Sequence, residues 1–243
     1  MAARVLVSKF YNLRVGRPQQ QVAKEVRALL RYNPAVLGLC EAVGYDLPGV
    51  EGYRLTRDRS TTSRANVAVY VALALAGKET WHDCQETWSR TEHPGTHEPR
   101  SWIEVRVGQC QFLVGHQPPK GTDNTQAAQQ EGIDLCDTRM APWHRDDWSE
   151  RTDEEKAHAK ACPRVALADW NRGAKEPGPG PMALTKQVQG WTAGHYIDLA
   201  VGRGKEVSLR SVEYQGACAG VAMKSDHQWG ALVVKMDVAE RWL

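Results

Sequence analysis

The sequence has no apolar run long enough to cross a membrane. Its longest, Val67 to Ala76, falls far short of the roughly 20 residues that a helical span requires, and Met1-Ala2-Ala3-Arg4 leads directly into strand-like sequence, so no signal peptide is expected. Charge of one sign is not in excess: 31 Lys and Arg face 29 Asp and Glu, for a net charge of +2. That balance, with a pI of 8.2, excludes the strongly basic surface that by itself marks a nucleic-acid binder, so any affinity for phosphate has to be local. The six cysteines (Cys40, Cys84, Cys110, Cys136, Cys162, Cys218) are scattered singly. Without a Cys-x-x-Cys pair or a matching His spacing they do not form a zinc module, and reduced thiols in a cytoplasmic protein are the simplest reading.

What is present suits a globular α/β chain. Hydrophobic residues make up 42% and charged residues 25% of 243 positions, enough for a sizeable core and ordinary for one domain over residues 1–243. Strand-like segments recur at Arg4–Tyr11, Ala35–Leu39, Asn66–Leu75, Trp102–Val107, Gln111–Gly115, Val165–Ala168, Tyr196–Val201 and Ala231–Asp237. Between the first two, Val22, Val26, Leu29 and Leu30 fall at helical spacing behind Pro18, which predicts a β-α-β opening. A second helix is predicted from Thr125 to about Trp148, interruptible at Pro142. Pro177-Gly178-Pro179-Gly180-Pro181 reads as a loop. Strands with intervening helices predict an α/β sandwich, two sheets with helices outside.

The polar residues that could carry chemistry stand at the ends of these apolar strands, where α/β architectures assemble sites. They are Tyr11-Asn12, Leu39-Cys40-Glu41, Gly115-His116-Gln117, Asp169-Trp170-Asn171, His195-Tyr196-Ile197-Asp198 and Ser225-Asp226-His227. Each alone is weak, since a strand ending in Asp or Glu is common, but their order and intervals make chance a poor explanation.

Taken together, these motifs resemble the signature series of the endonuclease/exonuclease/phosphatase superfamily, to which DNase I belongs, over nearly the whole chain. The resemblance implies a four-layered α/β (α+β) sandwich of two packed mixed sheets flanked by helices. It implies Asn12, Glu41 and Asp226 as the lining of a metal pocket for Mg²⁺ or Mn²⁺. Asp169 and Asn171 would position the attacking water and the phosphorane-like transition state, and His227, held by Asp198, would serve as general base or as a phosphate-stabilising imidazolium. His116 would contact the scissile phosphate or protonate the leaving oxygen. Arg100 ranks lower, as a fork for a substrate phosphate.

The sequence departs from the family pattern in places. Ala168 and Trp170 stand where glycine and phenylalanine are usual, and Arg14 where some relatives carry an acid.

The implied activity is metal-dependent hydrolysis of a phosphodiester, with DNA or RNA the leading substrate. A small nucleotide or lipid phosphoester is the alternative, and a catalytically silent binding module is the reading of a different class. Softer signals favour nucleic acid: the loop cluster Arg54, Arg57, Arg59 and Arg64, and nine Trp against two Phe, with Trp81, Trp88, Trp143, Trp148, Trp170 and Trp191 in or near presumed loops. Tryptophans that fill the core are the commoner case. An alanine- and arginine-rich chain without a targeting signal suits a bacterial or phage cytoplasmic protein, with no membrane insertion.

Overall fold

Near-continuous apolar runs are what strands need when a sheet is covered on both faces, and the central strands here have that character. The structure is a computed structural model that describes residues 3–57, 67–75, 86–89, 101–119, 123–141, 148–176, 178–188, 190–195, 197–227 and 230–243. In chain order the elements are β1 (Ala3–Asn12), α1 (Gln19–Leu30), β2 (Val36–Cys40), β3 (Tyr53–Arg57), β4 (Ala68–Ala72), β5 (Glu86–Ser89), β6 (Ser101–Val107) and β7 (Cys110–His116). There follow α2 (Asp123–Met140), α3 (Asp153–Ala161), β8 (Arg164–Asp169), α4 (Pro181–Val188), β9 (Trp191–His195), β10 (Asp198–Arg203), β11 (Val207–Gln215), β12 (Ala217–Cys218), β13 (Val221–Ala222) and β14 (Ala231–Ala239).

The strands form two six-stranded sheets, ordered β11-β14-β1-β2-β4-β3 and β5-β6-β7-β8-β10-β9, and β12 pairs with β13. Each large sheet contains one parallel pair, β1 with β2 and β7 with β8. The other neighbours run antiparallel. Facing residues of the two sheets, among them Phe10, Val36, Val69, Val105, Phe112, Val114, Leu167, Leu232 and Val234, make the central core. On the outer face of the first sheet α1 lays Val22, Val26 and Leu29 against Tyr11, Leu37 and Tyr70, with Cys218 of β12. On the outer face of the second, Ile133, Cys136 and Met140 of α2 and Leu184 of α4 pack on Leu113, Ala166 and Leu199. These are the four expected layers. Among the described residues, no helix is long and apolar enough to cross a membrane.

Gly38 sets the approach of one sheet to the other. A Cβ there would lie 2.6 Å from Val114 Cγ1, so only glycine lets β2 cross β7 this closely.

The structure also adds elements to the expected ones. The short edge strands β3, β5 and β9, the helices α3 and α4, and β11 are further pieces of it. α4 begins at Pro181, where a proline's missing N–H costs nothing. α2 stops at Met140, two residues before Pro142, which lies outside the described residues.

Candidate active site

The parallel pairs decide where the site forms. Parallel neighbours end at the same edge of a sheet, so Asn12 closes β1 beside Cys40 of β2, and His116 closes β7 beside Asp169 of β8. Antiparallel β10 starts where β8 ends, which places Asp198 opposite Asp169. The loop before β14 brings in His227. Three backbones leave this edge through left-handed turns: Arg14 (φ 58°), Glu41 (φ 54°) and Asn171 (φ 50°). Non-glycine residues hold such angles only where surrounding contacts enforce them.

Those contacts centre on Asn12. Its fully buried side chain turns Nδ2 toward Glu41 Oε1 (3.1 Å), Asp169 Oδ2 (3.2 Å) and His227 Nε2 (3.1 Å). The two N–H groups of an amide nitrogen match the two carboxylate oxygens, and the sense of the His227 contact follows the protonation of its ring. Asn12 Oδ1 faces away and accepts from the Arg14 N–H at 2.8 Å. In this orientation the amide ties the acids together; a half-turn of the amide would present its oxygen to them instead. Glu41 Oε2 accepts from the Val15 N–H at 3.0 Å, which fixes the carboxylate in place.

Asp169 is 1% exposed. Its Oδ1 accepts from the Asn171 N–H at 2.9 Å, and its Oδ2 lies 3.4 Å from His116 Nε2 and 3.6 Å from His227 Nε2. Burial, reinforced by the Asp198 charge, raises its pKa from 3.8 to about 7, against the pull of His227 and of the Asn171 and Asn12 hydrogen bonds. Asp198 is also raised by burial. Its Oδ2 is 2.6 Å from His227 Nδ1, and its Oδ1 has no hydrogen-bond partner among the described residues. Tyr214 donates to the Asp198 carbonyl oxygen at 2.6 Å. For His227 burial lowers the pKa, but the hydrogen bond to Asp198 and the charges of Asp198, Asp169 and Asp226 outweigh it and lift the imidazole from 6.5 to about 9.

All three raised groups hold protons more tightly in the folded than in the unfolded chain, so their contribution to stability falls as pH rises. For His227 it is fully present below 6.5 and is lost through about 9. In EDTA the melting temperature should therefore decline between those values, and His227→Gln should flatten that decline; an unchanged slope in the variant would refute the assignment.

The remaining predicted residues are placed as follows. Asn171 Nδ2 donates to the Gln117 carbonyl at 2.6 Å, tying the turn after β8 to the one after β7. Asp226 is half exposed at the rim, with its Oδ2 3.6 Å from Arg14 Nε. His116 is 4% exposed against Asp169. Trp170 is fully buried, donates its indole N–H to the Leu199 carbonyl at 3.0 Å and lies 5.4 Å from the Trp102 ring, so it fills the core. Arg57 is tied to the Tyr45 and Ala42 carbonyls. Arg59, Arg64, Arg100, Trp81 and Trp143 lie outside the described residues.

Sequence reasoning missed two residues around this edge. Glu25, fully buried on α1, accepts from Tyr11 Oη (2.8 Å), Gln21 Nε2 (2.9 Å) and the Lys224 N–H (3.1 Å), and pairs with Arg17. It thereby joins the exit of β1 to the loop that carries His227. Its position on the Val22–Val26–Leu29 stripe was the available signal. Cys40 is the other: its sulfur and single donor atoms of His116 and Asp169 all lie within 4.8 Å of one another.

A divalent cation fits this donor set. Glu41 and Asp169 offer hard oxygens 3.1 and 3.2 Å from one amide nitrogen, and a buried oxygen of Asp198 lacks a partner among the described residues. Asp169, Asp198 and His227 also form a group that could hold a metal ion.

The sequence matches no protein-family model and no curated protein. Solved structures do match the fold. The catalytic domain of human Nocturnin with bound sulfate is 12% identical, with 97% of this chain and 94% of that one covered at a TM-score of 0.65. An endonuclease/exonuclease/phosphatase family protein from Bacteroides thetaiotaomicron is 13% identical, with 98% and 97% covered at 0.58. D. rerio TDP2 complexed with single strand DNA product is 12% identical, with 96% and 98% covered at 0.58. The fold is thus the DNase I-like α/β sandwich of the endonuclease/exonuclease/phosphatase proteins.

Proposed function

We propose that this chain is a divalent-metal-dependent phosphodiesterase that hydrolyses DNA or RNA by direct attack of water. One observation carries the reading: Glu41, Asp169 and His227 converge within 3.2 Å of a single buried amide nitrogen, and His227 is held at 2.6 Å by a second buried acid. Carboxylates and an imidazolium gathered at one strand edge suit a reaction in which a proton leaves water while negative charge develops on phosphate.

In this reading Asp169, with a pKa near neutrality, orients the water and takes its proton. His227, kept protonated at neutral pH by Asp198, stabilises charge on the phosphate, the second of the two roles open to it. His116 faces Asp169 from the neighbouring strand and meets the phosphate or the leaving oxygen. Asn171 holds Asp169 through its N–H. Glu41, with Asn12 after an amide turn and Asp226 at the rim, would hold Mg²⁺ or Mn²⁺. Such an ion, when bound, neutralises phosphate charge and stabilises the leaving oxygen.

A structural neighbour holding a DNA product supports nucleic acid as substrate, and the domain reading over residues 1–243 goes with it. The test is incubation with Mg²⁺ or Mn²⁺ and, separately, plasmid DNA, single-stranded DNA, RNA and bis-p-nitrophenyl phosphate. Cleavage of a polymer that EDTA abolishes and added metal restores is the expected result. Turnover of the small ester alone would move the substrate to a small phosphoester. No turnover of any of the four would leave a binding module and overturn the proposal.

A further inference from the structure

Strand geometry places a thiol where the oxygen-rich site does not use one. Side chains of a strand alternate between faces, so residues two apart share a face. On β2 the Gly38 position meets Val114 of β7 across the interior. Two residues further along each strand, on the same inner side, come Cys40 and His116. Asp169 is the β-sheet partner of His116 on β8. One donor atom from each of the three lies within 4.8 Å of the other two, and His116 Nε2 is 3.4 Å from Asp169 Oδ2. All three side chains are buried.

We propose that Cys40, His116 and Asp169 form a second site for Zn²⁺, bridging the two sheets beneath the oxygen-rich cluster and drawing His116 and Asp169 from the catalytic set. Zinc bonds of about 2.0–2.3 Å to oxygen, nitrogen and sulfur in a tetrahedron put ligand atoms roughly 3.3–3.7 Å apart. The imidazole–carboxylate pair already has that separation, and the thiol, within 4.8 Å of both, closes the remaining gap on binding. The chemistry of the set separates it from its neighbour. Thiolate and imidazole select zinc-like ions over Mg²⁺, which prefers oxygen and water. On binding, the Cys40 thiol gives up its proton to solvent and the sulfur–metal bond takes its place.

The consequence, which rests on the function proposed above, is inhibition. With its carboxylate committed to zinc, Asp169 can neither orient water nor take its proton, so Zn²⁺ arrests Mg²⁺-supported hydrolysis through Cys40. The general contact of the chain with zinc is not at issue, only this dependence on one sulfur.

Cobalt is the spectroscopic probe. Titration of Co²⁺ into the protein in excess Mg²⁺ should produce a thiolate-to-metal charge-transfer band that saturates at one equivalent. Cys40→Ser and Cys40→Ala should lose that band and resist Zn²⁺ inhibition by more than the roughly 10- to 100-fold that even an outer-shell partner contributes. The same band and the same inhibition in both variants would overturn the proposal. X-ray absorption at the zinc edge of the wild-type chain decides the matter without a variant: a shell with one sulfur supports the site, and a shell of only nitrogen and oxygen refutes it. If the chain hydrolyses no phosphodiester, the functional reading falls while the band and the absorption edge still judge this one. If it does and Zn²⁺ acts equally on Cys40→Ser, this inference falls alone.

Discussion

Asp169→Asn is expected to lower kcat by about 10²- to 10⁴-fold, the range in which a positioned acid or base contributes. The carboxylate is buried, its Oδ1 is held by the Asn171 N–H, and its Oδ2 faces Asn12, His116 and His227. Burial and the neighbouring Asp198 bring it to about 7, close to where a base works best at neutral pH. The amide keeps the volume and can still accept from Asn171. It cannot take a proton, and its NH₂ would confront the NH₂ of Asn12. A melting curve separates the two effects: a change in kcat much larger than any loss of stability supports proton handling. Activity equal to that of the parent protein would reassign Asp169.

His227→Ala should cost a comparable factor of roughly 10²–10⁴, and the informative comparison is with Asp198. The two side chains meet at 2.6 Å, and a buried carboxylate that fixes an imidazole acts only through it. Asp198→Asn offers an amide in place of the oxygen that accepts from Nδ1, which disfavours the charged ring. Removing both partners should then be little worse than removing His227 alone, because residues that act as a unit are not additive. Losses that multiply would show that Asp198 and His227 act separately. The measurement is kcat for the parent, both single variants and the double variant on one substrate at saturating Mg²⁺.

Much of this was legible because the chemistry sits where buried strands stop. Asn12, Glu41, His116 and Asp169 each follow an apolar run, and the runs turned out to be the central strands. Where the pattern was interrupted it misled. In β11 the alternation of Val207 and Leu209 with Val212 and Tyr214 changes phase at an irregularity between Leu209 and Ser211, and a bulge of that kind hides a strand from period-two reading. The helix α3 was missed although it carries a readable signal, the capping box of Thr152 and Glu155. A short edge strand such as β3 gives only a brief signal, Tyr53 and Leu55 alternating with Arg54 and Thr56 and half-buried at that.

Three-dimensional neighbours were the least readable. Ser225-Asp226-His227 looks like one unit in the sequence, yet Asp226 sits at the rim beside Arg14 while His227 turns inward to Asp198. Adjacent residues of a turn can face opposite ways, and only the packing decides which. Glu25 is an acid on an otherwise apolar helix stripe, tolerable because four donors surround it. The distance from Cys40 to His116 depends on how two sheets stack, and no single segment encodes that.

The pairing of Ala3 with Ala239 has a practical use. These residues lie at the far margin of the first sheet, a strand length of about 30 Å from Asn12 at ten residues of β1. A tether or fluorescent label joined to the chain beyond Ala239 would sit behind the working edge, leaving room for a long polymer to approach an immobilised protein.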